Sequence, residues 1–151
     1  MAEKFFVFDM DGTLSDPTHR RHFVRSKPTN WKAFNAGMVY DDVNVHVAEA
    51  LRLFSITGKV FVFSARNERD RQKTEDWLKK HDLLQFVEEV WLRGDNDNRD
   101  DAVVKKEMAE AFKLRFGKLP DAVFDDRPKV VRMWRDLGVF VFNVYQSDEE
   151  F

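Results

Sequence analysis

The chain has 151 residues, 43% of them hydrophobic and 14% aromatic, with fifteen Phe: enough for a packed core and too apolar for a disordered chain. Its formal net charge of -2 supplies no overall attraction to nucleic acid or an anionic membrane, so any polyanion contact must fall to a local basic patch. The absence of cysteine excludes disulfides, thiolate zinc sites and a cysteine nucleophile, and no apolar run approaches the roughly 18 residues of a membrane span, so a cytoplasmic chain with no membrane partner is expected.

Residues 5–16 read Phe-Phe-Val-Phe-Asp-Met-Asp-Gly-Thr-Leu-Ser-Asp, directly after a short start with no signal-peptide pattern. Phe5, Phe6, Val7 and Phe8 are apolar without alternation, which predicts a strand covered on both faces, as in a parallel sheet flanked by helices. The run ends on Asp9 and Asp11, at the carboxyl end of the strand, where open α/β sheets bind ligands, and Gly12 lets the backbone bend or approach a ligand closely. Two carboxylates this close repel unless a cation joins them; Mg2+, hard and content with few carboxylates plus phosphate oxygens, is the natural one. A helix-loop-helix calcium site is excluded because its fifth and twelfth positions, counted from Asp9, are Thr13 and Arg20. A solvated structural loop is the bland alternative.

Residues 15–44 are polar, aromatic and basic, with His19, Arg20, Arg21, Arg25, Lys27, Trp31 and Phe34, and predict a small, partly helical, cap-like insert beside the mouth of the site. Helical spacing of Val47, Ala50, Leu51 and Phe54 predicts a crossover helix over residues 45–57, stopped at Gly58. A second apolar run at residues 60–63 ends in Ser64-Ala65-Arg66-Asn67. A charged helix over 70–81 with Trp77 and Leu78 turned inward, a short strand at 90–92 and a polar loop over 93–101 follow. A helix over 103–116 carries Lys105 off its main apolar stripe. A third apolar run, 122–124, delivers Asp125 and Asp126 before Arg127 and Pro128, the latter suited to the first turn of a helix reaching about residue 137. A last strand covers 139–144, and the acidic residues 148–150 read as a solvated end. Strands separated by helices imply one doubly wound parallel α/β sheet of Rossmann type, and the whole of 1–151 is read as one domain with the 15–44 insert after its first strand.

Taken singly, Ser64 reads as well as a helix cap, Asp125 and Asp126 as a loop before proline, and Lys105 as a surface lysine. In order, however, acid pair, hydroxyl, lysine and second acid pair resemble the motifs of the haloacid dehalogenase superfamily of phosphohydrolases. Within it, Arg99-Asp-Asp-Ala-Val-Val-Lys105 and Val123-Phe-Asp-Asp-Arg-Pro-Lys-Val-Val-Arg-Met-Trp-Arg135 resemble the 3′-phosphatase domain family of bacteriophage polynucleotide kinase/phosphatase, along essentially the whole chain. The resemblance implies Asp9 as nucleophile and Asp11 as general acid and base. It implies Ser64 and Lys105 at the transferring phosphoryl group, and Mg2+ on Asp9, Asp11 (by its backbone carbonyl), Asp125 and Asp126. Thr13, Arg20, Arg21, Ala65, Arg66 and Arg99 are the expected phosphate- and substrate-binding positions, with Asp101 helping to place that corner.

No Gly-x-x-x-x-Gly-Lys-Ser/Thr loop is present, since the positions five before Gly58 and Gly117 are Leu53 and Phe112, so the sequence reads as a phosphatase without a kinase. The expected substrate is a phosphorylated nucleic-acid end or a nucleotide. A nucleotidase or small-metabolite phosphatase and a non-catalytic nucleic-acid-binding module are the alternatives, the last disfavoured by the intact acid pair. The basic run at 20–27 with Trp31 and Phe34 reads either as a grip on a single strand or as packing of the insert onto the core.

Overall fold

The computed structural model describes residues 2–148, so of the expected acidic end only Asp148 lies within it. Five strands form one parallel sheet: β1 (Phe5–Phe8), β4 (Lys59–Asn67), β5 (Val87–Arg93), β6 (Ala122–Asp125) and β7 (Phe140–Asn143), in the order β5-β4-β1-β6-β7. The chain winds outward from β1 through β4 to β5, then returns to add β6 and β7 on the other side. The crevice outside the carboxyl ends therefore opens beside β1.

The non-alternating apolar runs find their explanation in this sheet, because successive side chains of a strand point to opposite faces. Phe5, Val7, Phe61, Phe63, Val123 and Val141 face one core, which α5 (Asp101–Phe116) and α6 (Pro128–Asp136) cover with Val104, Phe112, Val131 and Trp134. Phe6, Phe8, Val60, Val62 and Phe124 face the other, covered by Leu51 of α3 (Val45–Thr57) and by Trp77 and Leu78 of α4 (Arg71–Lys80). Phe112 alone meets Phe5, Phe61, Phe63, Trp91 and Phe116 at ring-centroid distances between 4.5 and 5.9 Å. Gly58 ends α3 with extended backbone; a Cβ there would lie 2.5 Å from the Lys4 carbonyl oxygen, so only glycine lets the chain pass beside β1.

The 15–44 segment is closed at its base by a two-stranded ribbon, β2 (Ser15–Asp16) against β3 (Asp42–Val43). Between them lie α1 (His22–Arg25), α2 (Trp31–Ala36) and 3-10 turns at Thr18–Arg20 and Gly37–Tyr40. Several elements are longer than the apolar runs suggest. β4 continues through the polar residues 64–67, β5 reaches Arg93, and α5 starts at Asp101 with Asp100 as its cap. In each case hydrogen bonding extends the element beyond its hydrophobic part: Asn67 still pairs with Arg93, and the Asp100 carboxylate accepts from the Ala102 amide at 3.0 Å.

Candidate active site

Parallel pairing of Phe8 with Val62 and Phe124 sets Asp9 beside Asp125 at the carboxyl edge, with Ser64 one residue further along β4. The Asp9 amide donates to the Phe124 carbonyl at 3.0 Å. Lys105, buried and not a surface lysine as its position off the stripe would allow, donates at 2.7 Å to both Asp9 Oδ1 and Asp125 Oδ2. Its helix begins two residues earlier than the apolar stripe indicates, and Lys105 shares the buried face with Val104, Met108, Ala109 and Phe112. The Thr13 hydroxyl lies 3.0 Å from Asp9 Oδ2 and 3.1 Å from Asp126 Oδ1. Asp125 Oδ1 accepts the amides of Asp126 and Arg127 at 2.9 and 3.1 Å.

Oxygens of Asp9, Asp125 and Asp126, all buried, lie within 4.8 Å of one another. Burial, and next the Asp9 charge, push the carboxyls of Asp125 and Asp126 upward, whereas Asp125 and Asp9 outweigh burial at Lys105 and hold it protonated. One ammonium does not balance three carboxylates. A divalent, oxygen-seeking cation fits that donor set, and Gly12 makes room for the Asp126 carboxylate within it: its φ is +85°, and a Cβ there would lie 2.1 Å from Asp126 Oδ2.

The Asp11 carboxylate stands apart from that cluster, which corrects the expectation from spacing that one cation joins it to the Asp9 side chain; the group expected on Mg2+ at position 11 is its backbone carbonyl. Arg66 grips it in a fork, Nη2 on Oδ1 at 2.7 Å and Nε on Oδ2 at 3.0 Å, and Arg20 Nη2 adds a third contact at 2.6 Å. Burial would raise this carboxyl, but Arg66 and then Arg20 outweigh it and hold it below the usual range. Arg20, expected at the substrate, also lines the cavity around these groups. It is 1% exposed, spent on Asp11 and Asp41, and capped by the Phe34 ring 4.3 Å from its Cζ, so it is not a surface group beside Arg21.

Around these groups opens a cavity of about 1040 Å3, with Arg21, Ala65, Arg66, Arg69 and Arg99 in its walls and Trp31 and Tyr145 at its sides. Thr13 and Ser64 are buried outside its lining; Ser64 Oγ accepts the Arg66 amide at 3.1 Å. Trp31 is 59% exposed and edge-on to Phe34 at 5.7 Å, so Phe34 packs while Trp31 stays accessible. Arg99 is half exposed and pairs with Asp97 and Glu107.

Two residues escaped the sequence reading. Arg93, at the end of β5, donates to the carbonyls of Ala65, Asp97 and Arg99 at 2.7, 3.1 and 2.7 Å and pairs with Asp101, which also holds Arg127. Asp41, with no exposed side-chain surface, binds Arg20 and His19. Each directly follows three apolar or aromatic residues, Val90-Trp91-Leu92 and Met38-Val39-Tyr40, so the signal is a charge at the end of an apolar run, as at Asp9 and Asp125.

The chain is similar to proteins of a consistent kind. The family described as the polynucleotide kinase PNKP phosphatase domain matches residues 3–149. A protein of Autographa californica nuclear polyhedrosis virus, named as a bifunctional polynucleotide kinase/RNA ligase, is 31% identical over 147 residues, 95% of this chain and 20% of that protein. A chain in the structure of a Pnkp1/Rnl/Hen1 RNA repair complex superposes with a TM-score of 0.73 at 30% identity, over 97% of this chain and 44% of that one. A haloacid dehalogenase-like hydrolase from Streptococcus pneumoniae, 13% identical with a TM-score of 0.70 over 98% of this chain and 87% of its own, shares the fold. The chain thus spans less than half the length of the first two relatives.

Proposed function

Because the chain belongs to the family of polynucleotide kinase PNKP phosphatase domains, we propose that it is a Mg2+-dependent phosphomonoesterase that removes 3′-phosphates from nucleic-acid ends through an aspartyl-phosphate on Asp9. The family itself establishes a phosphoric monoester hydrolase of the haloacid dehalogenase kind; the metal, the intermediate and the substrate are our reading.

The observation that carries it is the division of labour between two carboxylates two residues apart. Asp9 has one oxygen on Lys105 and the other near Thr13, close to the oxygens of Asp125 and Asp126, as suits a nucleophile. Asp11, outside that cluster, faces the cavity between two guanidiniums. Asp9 attacks phosphorus, the bond from phosphorus to O3′ breaks, and Asp11 delivers a proton to the leaving oxygen. Water then attacks phosphorus, Asp11 takes its proton, and the bond to Asp9 breaks to release phosphate. An incoming phosphate draws on Arg66, the stronger of the two guanidiniums that hold Asp11 ionised, which restores the carboxyl's affinity for a proton. Asp9, Asp125 and Asp126 would hold Mg2+, which when bound supplies charge neutralisation at the phosphoryl oxygens.

The cavity exceeds what a phosphate needs, and Arg21, Arg69 and Arg99 with the accessible Trp31 suit a backbone and a stacked base. The names of the relatives, with RNA ligase and RNA repair, favour an RNA end. Among the described residues no helix is long and apolar enough to cross a membrane. A turnover screen tests the substrate: 3′-phosphorylated RNA and DNA oligonucleotides, 3′- and 5′-mononucleotides and a sugar phosphate, compared by kcat/KM. The 3′-phosphorylated oligonucleotides should lead. A preference for 5′-mononucleotides would replace the reading with a nucleotidase.

A further inference from the structure

We propose that Asp41 is a positioning residue for phosphoryl transfer, fixing through Arg20 and Arg66 the direction in which the Asp11 carboxyl faces the leaving oxygen. The inference rests on the acid role given to Asp11 above. Asp41 is not among the residues lining the cavity and has no exposed side-chain surface, so it acts through other groups.

Its Oδ1 accepts from Arg20 Nε at 2.8 Å and lies 2.7 Å from His19 Nε2; its Oδ2 accepts from Arg20 Nη2 at 2.8 Å and lies 3.6 Å from Arg66 Nη2. A carboxylate that takes both Nε and Nη2 fixes the plane of a guanidinium. With the plane fixed, Arg20 Nη2 points on to Asp11 Oδ1 at 2.6 Å, one nitrogen bridging the two acids. Arg66 is held at its other end by Thr74, whose hydroxyl lies 3.1 Å from Nη1. The frame is anchored from outside the site, since the Asp41 carbonyl accepts from Trp77 Nε1 of α4 at 2.9 Å. Arg20 Nη1 also donates to the Phe34 carbonyl at 3.2 Å, so the insert that walls the cavity and the acid that serves the chemistry share one hydrogen-bonded unit.

A carboxylate that only neutralised buried Arg20 would matter equally for every substrate. One that aims a general acid matters where the leaving oxygen needs a proton. The test is kcat/KM of Asp41→Asn, which reports steps up to phosphoryl-enzyme formation, on a 3′-phosphorylated nucleoside and on 4-nitrophenyl phosphate, whose leaving group departs without protonation. The nucleoside ester should slow on the order of 10- to 100-fold, the scale of a small misplacement of a catalytic group, and the aryl ester by less than about threefold. In an Asp11→Asn background Asp41→Asn should add no further loss on the nucleoside ester. Arg20→Lys, which cannot span Asp41 and Asp11 together, should reproduce the pattern and serves if Asp41→Asn does not fold. Equal losses on the two esters, or losses that multiply in the double variant, overturn the role of Asp41 alone. An Asp11→Asn protein that keeps its full rate on the nucleoside ester overturns the acid and Asp41 together.

Discussion

At Asp125 and Asp126 burial and the charge of Asp9 raise the carboxyls to about 6 and about 9, so without a cation the folded protein holds protons there that the unfolded chain has released. Stability from such raised groups is present at low pH and is lost as pH climbs through those values. The lowered carboxyl of Asp11 acts the opposite way, but only below the ordinary carboxylate range, where its advantage fades with falling pH. Chelator-treated protein should therefore melt at progressively lower temperature from about pH 5 to about pH 9, and saturating Mg2+ should raise Tm more at the upper end, because the cation displaces protons. Asp126→Asn should flatten both trends. A chelated Tm that rises over this range, or a Mg2+ shift independent of pH, would contradict the account. Asp9, Asp11, Asp125 and Asp126 were readable as a group because each pair ends an apolar run. What their side chains face was not readable, since spacing cannot tell that Asp11 turns to Arg20 and Arg66 while Asp9 turns to Lys105.

Among the elements, β5 and the segment after it carry the clearest separation between pattern and structure. Residues 94–100 have few apolar side chains to fix them, and Arg93 supplies what packing does not: three carbonyls and Asp101 gather on one guanidinium that is 9% exposed. Asp101 opens α5, one turn before Lys105, so this knot also sets where Lys105 enters the site. Replacing Arg93 with Met should cost on the order of 1 to 3 kcal/mol, because it leaves three carbonyls without their donor while Asp101 keeps Arg127. It should also slow turnover on the order of tenfold through the shifted helix start. Urea unfolding and hydrogen exchange of the 94–100 amides check it; a stability change within about 0.5 kcal/mol, the level of a surface substitution, would show the knot to be dispensable. The sequence shows β1 and β6 almost to the residue because unbroken apolar runs fill or nearly fill them, and α3 because its apolar residues recur at helical spacing up to Gly58. It understates β4 and β5, whose last residues are polar and are held by the ladder and by Arg93 and Arg66.

Across the molecule, two cores of different composition clamp one sheet, and the carboxyl ends of β1 and β6 hold the acids in register beside the polar end of β4. The insert, legible in outline as a polar interruption, turns out to be bonded into that edge by Arg20 and Asp41 and not merely laid over it. Of its aromatics Phe34 packs against Arg20 and Trp31 stays accessible, so each sequence reading of the pair fits one of them. All of this serves one chemical claim, that Asp9 becomes covalently phosphorylated. The direct measurement is a rapid acid quench of the enzyme turning over a 3′-phosphorylated oligonucleotide labelled in its terminal phosphate, with Mg2+ present, followed by peptide mapping. The account predicts hydroxylamine-labile label on the peptide carrying Asp9, more of it in Asp11→Asn if loss of the base slows hydrolysis more than loss of the acid slows phosphorylation, and none in Asp9→Asn, which should also lose turnover. Continued turnover by a folded Asp9→Asn protein, or label on any other residue, would contradict it.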